Sequence, residues 1–250
     1  MTAVLTRNVA PGIHKLEHAH VNCYLVEDSD GVLLVDTALP RTWLHLISAM
    51  EAIERPLSDL RAVVLTHAHF DHVGMARRLQ QELGLTVHVH ADDEHLAAHP
   101  YSYAHETPRL LYPVQYPAAV PVLTRMALAG ALAVRGVHEV AFITDGQTLD
   151  LPGRPRVIHS PGHTFGHCGL HFADRDAVMT GDALVTLDPY TAEIGPQIVA
   201  GAATADSAMA LLSLEALAET DAARVLPGHG EILRTGIRRA VREALVAGPS

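Results

Sequence analysis

The chain has 250 residues, enough for one large domain or two small ones, and 48% hydrophobic against 18% charged residues allows a sizeable core and argues against disorder. A formal net charge of −10 with no Lys/Arg-rich block disfavours nucleic acid as a partner. The start, MTAVLTRNVAPGIHKLEHAH, lacks the plan of a signal peptide, and the longest apolar stretch, ALAGALAVRGV, is interrupted by Arg135 and too short to span a bilayer. Two cysteines, Cys23 and Cys168, make no secreted disulfide framework. The expected location is cytoplasmic, with no membrane span.

In chain order, VNCYLVEDSDGVLLVD (21–36) reads as two strands joined by a turn at Asp28 to Gly31. Pro40 opens a helix to about Glu54, with Leu44, Ile47 and Ala49 on its inner face. Arg61 to Thr66 is a short β-branched, apolar run and so a buried strand. A helix from about His72 to Leu83 ends at Gly84, and LTVHVH (85–90) alternates as a strand, which completes a βαβ unit. Residues 100–138 carry five prolines and then VLTRMALAGALAVRGV, an expected helical insertion in a single domain spanning 1–250. Two readings of it stay open: extra core helix, or a lid offering Tyr101, Tyr103, Tyr112, Tyr116 and Met126 to a substrate. Strands resume at TLDL (148–151), RVIHS (156–160), CGLHFA (168–173) and AVMTG (177–181). A helix covers Thr204 to Glu219, ARVLPG is a last strand, a closing helix starts near Thr235, and the tail after Val246 frays.

Histidine is the compositional outlier, at 18 residues. His14, His18, His20, His45, His95, His99, His105 and His138 read as surface or loop residues. The run THAHFDHVG differs, because it places His67, His69, Asp71 and His72 directly after a buried strand. Four such side chains in the core would each need partners. A pair of neighbouring metal ions satisfies them, and the imidazole–carboxylate mixture suits zinc and also manganese or iron. More ligands should then come from other strand ends. SPGHTFGHCG supplies His163, TGDAL supplies Asp182 and LPGHGE supplies His229, each with glycine nearby.

These four motifs, in this order, resemble the metallo-β-lactamase superfamily from about Val21 to Glu231. The resemblance implies an α/β (α+β) fold, a four-layer αββα sandwich with the site at one edge. It implies that His67, His69 and His163 hold one ion, that Asp71, His72 and His229 hold the other, and that Asp182 bridges them. Asp36, in the VDTA segment, and His167, in P-G-H-T-x-G-H, are expected to support the ligands from behind. The cofactors implied are two divalent ions, Zn2+ ahead of Mn2+ or Fe.

A hydroxide between two such ions would attack an electrophilic carbonyl, with Asp71 orienting the nucleophile and Asp182 bridging as the second catalytic carboxylate. No Ser, Cys or Lys nucleophile is required, and Cys168 is expected to pack inward. The chain is most similar to the hydroxyacylglutathione hydrolase-like branch, which implies a thioester. That branch has a C-terminal extension for glutathione, whereas about 20 residues follow Glu231 here. Lactonases of the superfamily often place a tyrosine near the bridging aspartate; Tyr190, in GDALVTLDPYTAEIGPQ, either donates to a carbonyl or packs in its loop. Tyr112, Tyr116 and Met126 are further candidate substrate contacts. The expected partner is a small molecule with an apolar portion, met by residues 118–134, and a homodimer is allowed. Two rivals remain: a mononuclear-iron persulfide dioxygenase-like oxidoreductase, using residues matching His67, His163 and Asp182, and a non-enzymatic metal-binding module.

Overall fold

The structure is a computed structural model and describes residues 2–109 and 112–250; positions 110 and 111 of the expected insertion lie outside the described residues. Its first sheet has seven strands in sequence order. They are β1 (Val4–Ala10), β2 (Ile13–His18), β3 (Val21–Asp28), β4 (Gly31–Val35), β5 (Leu60–Val64), β6 (Thr86–His90) and β7 (Ala141–Ile143). The first four form an antiparallel meander, and β4 to β7 run parallel. Parallel neighbours need crossovers. Helices α1 (Trp43–Ala52) and α2 (Ala76–Leu83) supply two of them.

The second sheet holds β8 (Arg156–His159), β9 (Cys168–Phe172), β10 (Ala177–Gly181) and β13 (Arg224–Pro227), in the order β13-β10-β9-β8. A two-stranded ribbon, β11 (Val185–Leu187) with β12 (Ile194–Gln197), stands beside it. Alternation along each strand divides the core into layers. Tyr24, Val26, Leu33, Val35, Ala62 and Val64 meet Val157, Leu170, Phe172, Met179 and Leu226 between the sheets. On the outer face of the first sheet, Leu25, Leu34 and Val63 pack under Leu46, Met50 and Leu79 of α1 and α2. On the outer face of the second, Ile158, Val178 and Val225 pack under Leu214 and Leu217 of α6 (Ser207–Ala218) and Val241 of α7 (Ile237–Ala247). This is the αββα sandwich the resemblance implied. No helix of the described residues is long and apolar enough to cross a membrane.

Several expectations need correction. A tight turn at Pro40–Thr42 delays α1 to Trp43, so its inner face is Trp43, Leu46, Ala49 and Met50, while Leu44 points to solvent. Helix α2 begins at Ala76 rather than His72, leaving residues 70–75 as turns; its end at Gly84, with φ +66°, is as read. TLDL is no strand beyond a single bridge from Thr148 to Arg156, whereas β1, β2, β7, β11 and β12 were not foreseen. His14 and His18 are buried, because both faces of β2 are covered. His14 accepts from the Asn8 amide, and burial pushes His18, beside Thr42 Oγ1, down to about 4. The tail does not fray: the Ser250 carbonyl accepts from Gly201 N and from Tyr112 Oη.

The segment 100–138 follows α3 (Glu94–Ala98) and contains α4 (Tyr112–Gln115) and α5 (Val120–Met126). Gly130, at φ +106°, breaks the helical course after α5. Val122, Met126, Ala129 and Val137 are buried in the core beneath α1 and α2, so this part of the segment serves as core.

Candidate metal centre

The strand ends of both sheets converge on one edge. After β5 the chain passes from Thr66 into His67–His72, and the side chain of Asp36 fixes its path. Asp36 sits at φ +57° and accepts from Thr66 N (2.8 Å), Thr66 Oγ1 (2.9 Å) and His72 Nδ1 (3.0 Å). Since Asp36 accepts there, His72 carries a proton on Nδ1 and turns Nε2 inward. Similar logic fixes three further rings. Thr66 Oγ1 gives its proton to Asp36 and so accepts from His67 Nδ1 at 3.1 Å. Thr204 Oγ1 donates to Val199 O and accepts from His163 Nδ1 at 3.3 Å. His229 Nδ1 donates to His20 O at 2.7 Å. Each contact orients an imidazole from behind, as around metal ions.

The inward atoms lie together. His67, His69 and His163 form one group whose donor atoms lie within 4.8 Å of one another, and Asp71, His72 and His229 form another. Asp182, which follows β10, faces both. Its Oδ2 is 3.6 Å from His163 Nε2 and 3.1 Å from His229 Nε2, and its Oδ1 is 3.5 Å from His72 Nε2. All seven side chains are buried. Yet among the described residues the Nε2 atoms of His67, His69 and His163 have no hydrogen-bond partner, while those of His72 and His229 face the carboxylates of Asp182 and Asp71. Each such bare buried atom costs about 1–3 kcal/mol, so the three together would cost several kcal/mol, a large share of a domain's stability. Donors left bare at one point and of metal-ligating type fit a pair of divalent ions.

Electrostatics agrees. Burial pushes His67 and His163 well below the usual imidazole range. Burial also acts to lower His229, but Asp182 and Asp71 outweigh it and raise that ring to about 10. His72 is likewise held well above its usual range by Asp182 and Asp36 against its burial. Burial would raise Asp182, and those two rings instead hold it well below the carboxylate range. Protons on His72 and His229 thus occupy the place of positive charge.

The backbone is shaped to this crowding. A Cβ on Gly228 would lie 2.1 Å from Asp182 Oδ1 and 2.9 Å from His72 Cε1. His167 Nε2 accepts from Asp182 N (3.1 Å) and Ala183 N (3.2 Å), while its Nδ1 donates to Ser160 Oγ (2.9 Å). It supports the Asp182 turn from behind and does not join either donor group. Cys168 is buried among apolar residues, as expected, and burial pushes its thiol far up.

Three contributors were not singled out from sequence. Buried Asp93 accepts from Ala68 N (3.0 Å), Thr164 Oγ1 (2.8 Å) and Gly166 N (2.9 Å), tying the His67–His72 turn to the His163 loop. Tyr103, raised above only as one of several lid tyrosines, lies against His69, with ring centroids 4.2 Å apart, and shares a 3.1 Å hydroxyl contact with Tyr190. Arg109 stands 4.2 Å over the Tyr103 ring. In ADDEH, Asp93 looks like any surface carboxylate, and nothing local marks the other two.

Tyr190 also meets Tyr112 edge to face, and Tyr112 stacks on Tyr116. Met126 is core, 3% exposed. A cavity of about 230 Å³ opens beside His163 and Tyr103, lined by Leu96, Ala104, Phe165 and Ala205 among others; residues 118–134 do not line it.

Residues 17–229 match the family model of the metallo-β-lactamase superfamily, and the chain belongs to that superfamily. It is similar to an uncharacterized protein of Mycobacterium leprae, 29% identical over 87% of this chain and 90% of the other. It is also similar to the probable metallo-hydrolase YflN of Bacillus subtilis, 25% identical over 88% of this chain and 84% of the relative. The hydroxyacylglutathione hydrolase GloC of Haemophilus influenzae is 26% identical over 65% of this chain and 66% of its own. Among solved structures, a metallo-β-lactamase family protein of Thermus thermophilus shares the fold at a TM-score of 0.67, with 23% identity over 93% of this chain and 78% of that one.

Proposed function

We propose that this chain is a dinuclear metal-dependent hydrolase of small thioesters, lactones or related esters. The observation that carries the reading is the Asp182 carboxylate, which faces two buried groups of metal-ligating side chains at once. His67, His69 and His163 would hold one ion, Asp71, His72 and His229 the other, and Asp182 both. Bound there, two divalent ions supply Lewis acidity and a hydroxide nucleophile near neutral pH. Zinc fits the imidazole-rich set, and manganese or iron are the other candidates.

The protein's own groups do the rest. Asp71 Oδ2, 3.3 Å from His229 Nε2, is placed to accept a proton and orient the attacking group. Burial pushes the Tyr190 hydroxyl well above its usual range, so it stays a neutral donor, paired with Tyr103. The apolar cavity beside His163 suits an acyl or other apolar portion. Arg109, over the ring of Tyr103, brings a positive charge near one of the cavity-lining residues, which suits an anionic group on the substrate. Likeness to a probable metallo-hydrolase and, over two thirds of its length, to a hydroxyacylglutathione hydrolase supports the reaction class.

The test is metal content by mass spectrometry on untagged, chelator-free protein. A panel of thioesters, lactones and esters, with and without a carboxylate, then follows. About two ions per chain and chelator-sensitive hydrolysis are expected. One iron per chain with oxygen uptake on persulfides, or metal with no hydrolysis across the panel, would overturn the proposal.

A further inference from the structure

Outside the centre described above, one other group of ligand-type side chains converges among the described residues. His90, Asp92 and His159 each bring one donor atom to within 4.8 Å of the others. They come from different layers: His90 ends β6 of the first sheet, Asp92 follows it, and His159 ends β8 of the second. We propose that these three side chains form a separate, rim-exposed site for a single divalent transition-metal ion that ties the two sheets together at this edge.

The local hydrogen bonds prepare the site. His159 Nε2 donates to the Phe165 carbonyl at 2.9 Å, so its proton is fixed there and Nδ1 keeps a free lone pair. A ligating imidazole commonly uses its other nitrogen in this way. The His159 amide donates to Asp145 Oδ1 at 2.9 Å, which pins a second carboxylate beside the group. His90 Nδ1 lies 3.5 Å from Asp92 Oδ2 and accepts from Asp92 N at 3.3 Å. Burial and the neighbouring His159 lower the basicity of His90, so it is neutral and ligand-competent at pH 7. The His90 side chain is 14% exposed and Asp92 58%, so an ion reaches the site from solvent and retains water.

Two imidazoles and a carboxylate select Zn2+, Cu2+, Ni2+ or Co2+ over Ca2+ and Mg2+, which want oxygen ligands. The two rings now stack, with centroids 4.4 Å apart and planes 14° from parallel. An ion lies in the plane of each imidazole it binds, so loading requires His90 to turn out of the stack and give up its contact with Asp92 N, while the Phe165 carbonyl keeps His159 in place. The site therefore binds more weakly than the buried centre. Its place gives it leverage, because Asp92 and Phe165 line the cavity that also contains His163. An ion here would stiffen the cavity wall without touching the buried donors.

The experiment is calorimetric titration of Zn2+ into protein whose buried centre has first been filled, with ion counts by mass spectrometry before and after. Wild type is expected to take up about one further Zn2+ per chain. His159→Gln and, independently, the exposed Asp92→Asn should weaken that last uptake at least about tenfold while keeping the ions already bound. Retained ions and an unchanged circular dichroism spectrum show that each variant is folded. NMR should show the His90 and His159 ring signals moving only during the last equivalent. No further uptake by wild type, or uptake unchanged in both variants, would overturn the proposal.

Discussion

Asp182 illustrates how tightly single residues are constrained here. Its carboxylate faces four imidazole nitrogens, its amide is held by His167, and the backbone of Gly228 passes against its other side. Gly228→Ala would drive a methyl group into Asp182 Oδ1. Its metal content should fall below about one ion per chain, with hydrolysis down roughly 10–100-fold, as for other losses of a supporting contact. Asp36 acts at one remove, through Thr66 and the His72 ring. Asp36→Asn keeps the shape but loses an acceptor. Chelator competition should show roughly 10–100-fold weaker metal binding with little change in secondary structure. Protons and ions also compete at this scale. Because Asp182 and Asp71 raise His229 to about 10, that ring is protonated at neutral pH until an ion displaces its proton. Apparent metal affinity should therefore rise with pH between pH 6 and 8, by about tenfold per unit for each proton released. Calorimetry in two buffers of different ionisation enthalpy would count those protons, and a pH-independent affinity would contradict the charge assignment.

Among the elements, the short loops after β5, β8, β10 and β13 matter more than the helices, and one buried side chain couples two of them. Asp93 takes three donors from the His67–His72 turn and the His163 loop. Asp93→Ala leaves Ala68 N, Thr164 Oγ1 and Gly166 N without that acceptor, at about 3 kcal/mol or more in total. For a chain of this size that lowers Tm by roughly 6–12 °C, and Asp93→Asn, which keeps one carbonyl oxygen, should lose less. Thermal unfolding of the two variants side by side checks the order. Asp93 also shows where legibility ended. The ligand-type residues stood out because histidines and aspartates after apolar strands have few other reasons to cluster, and their order matched a known family. Strands β3, β5 and β10 stood out as apolar runs. Strand β2 did not, because IHKLEH is rich in polar residues yet buries His14, Lys15 and His18, the two histidines having read as surface or loop residues; Lys15 is satisfied by distant Gly230 and Glu231 and by Glu17. Helix α1 was legible as a helix but not in phase, since a tight turn at Pro40 shifted its start. Asp93, Tyr103 and Arg109 act through contacts far apart in sequence, which no local pattern encodes.

At the scale of the molecule, the sandwich divides labour between its sheets. The first sheet brings Asp36 and the His67–His72 turn, and the second brings His163, Asp182 and His229. The layer of Tyr24, Val35 and Val64 against Leu170, Met179 and Leu226 holds the halves of the centre in register. Each half alone has too few donors for either complete group: His67 and His69 lack His163, and Asp71 and His72 lack His229. The division has a consequence in time. The donors span residues 67 to 229, so most of the chain must be synthesised and both sheets docked before an ion meets a full set. Pairings this remote in sequence form late. In refolding from denaturant, secondary structure should return first and ion capture should coincide with the slowest phase, at a rate independent of ion concentration. Stopped-flow circular dichroism beside a zinc-sensitive dye would show the lag, and simultaneous recovery would mean that the ions help to assemble the sandwich.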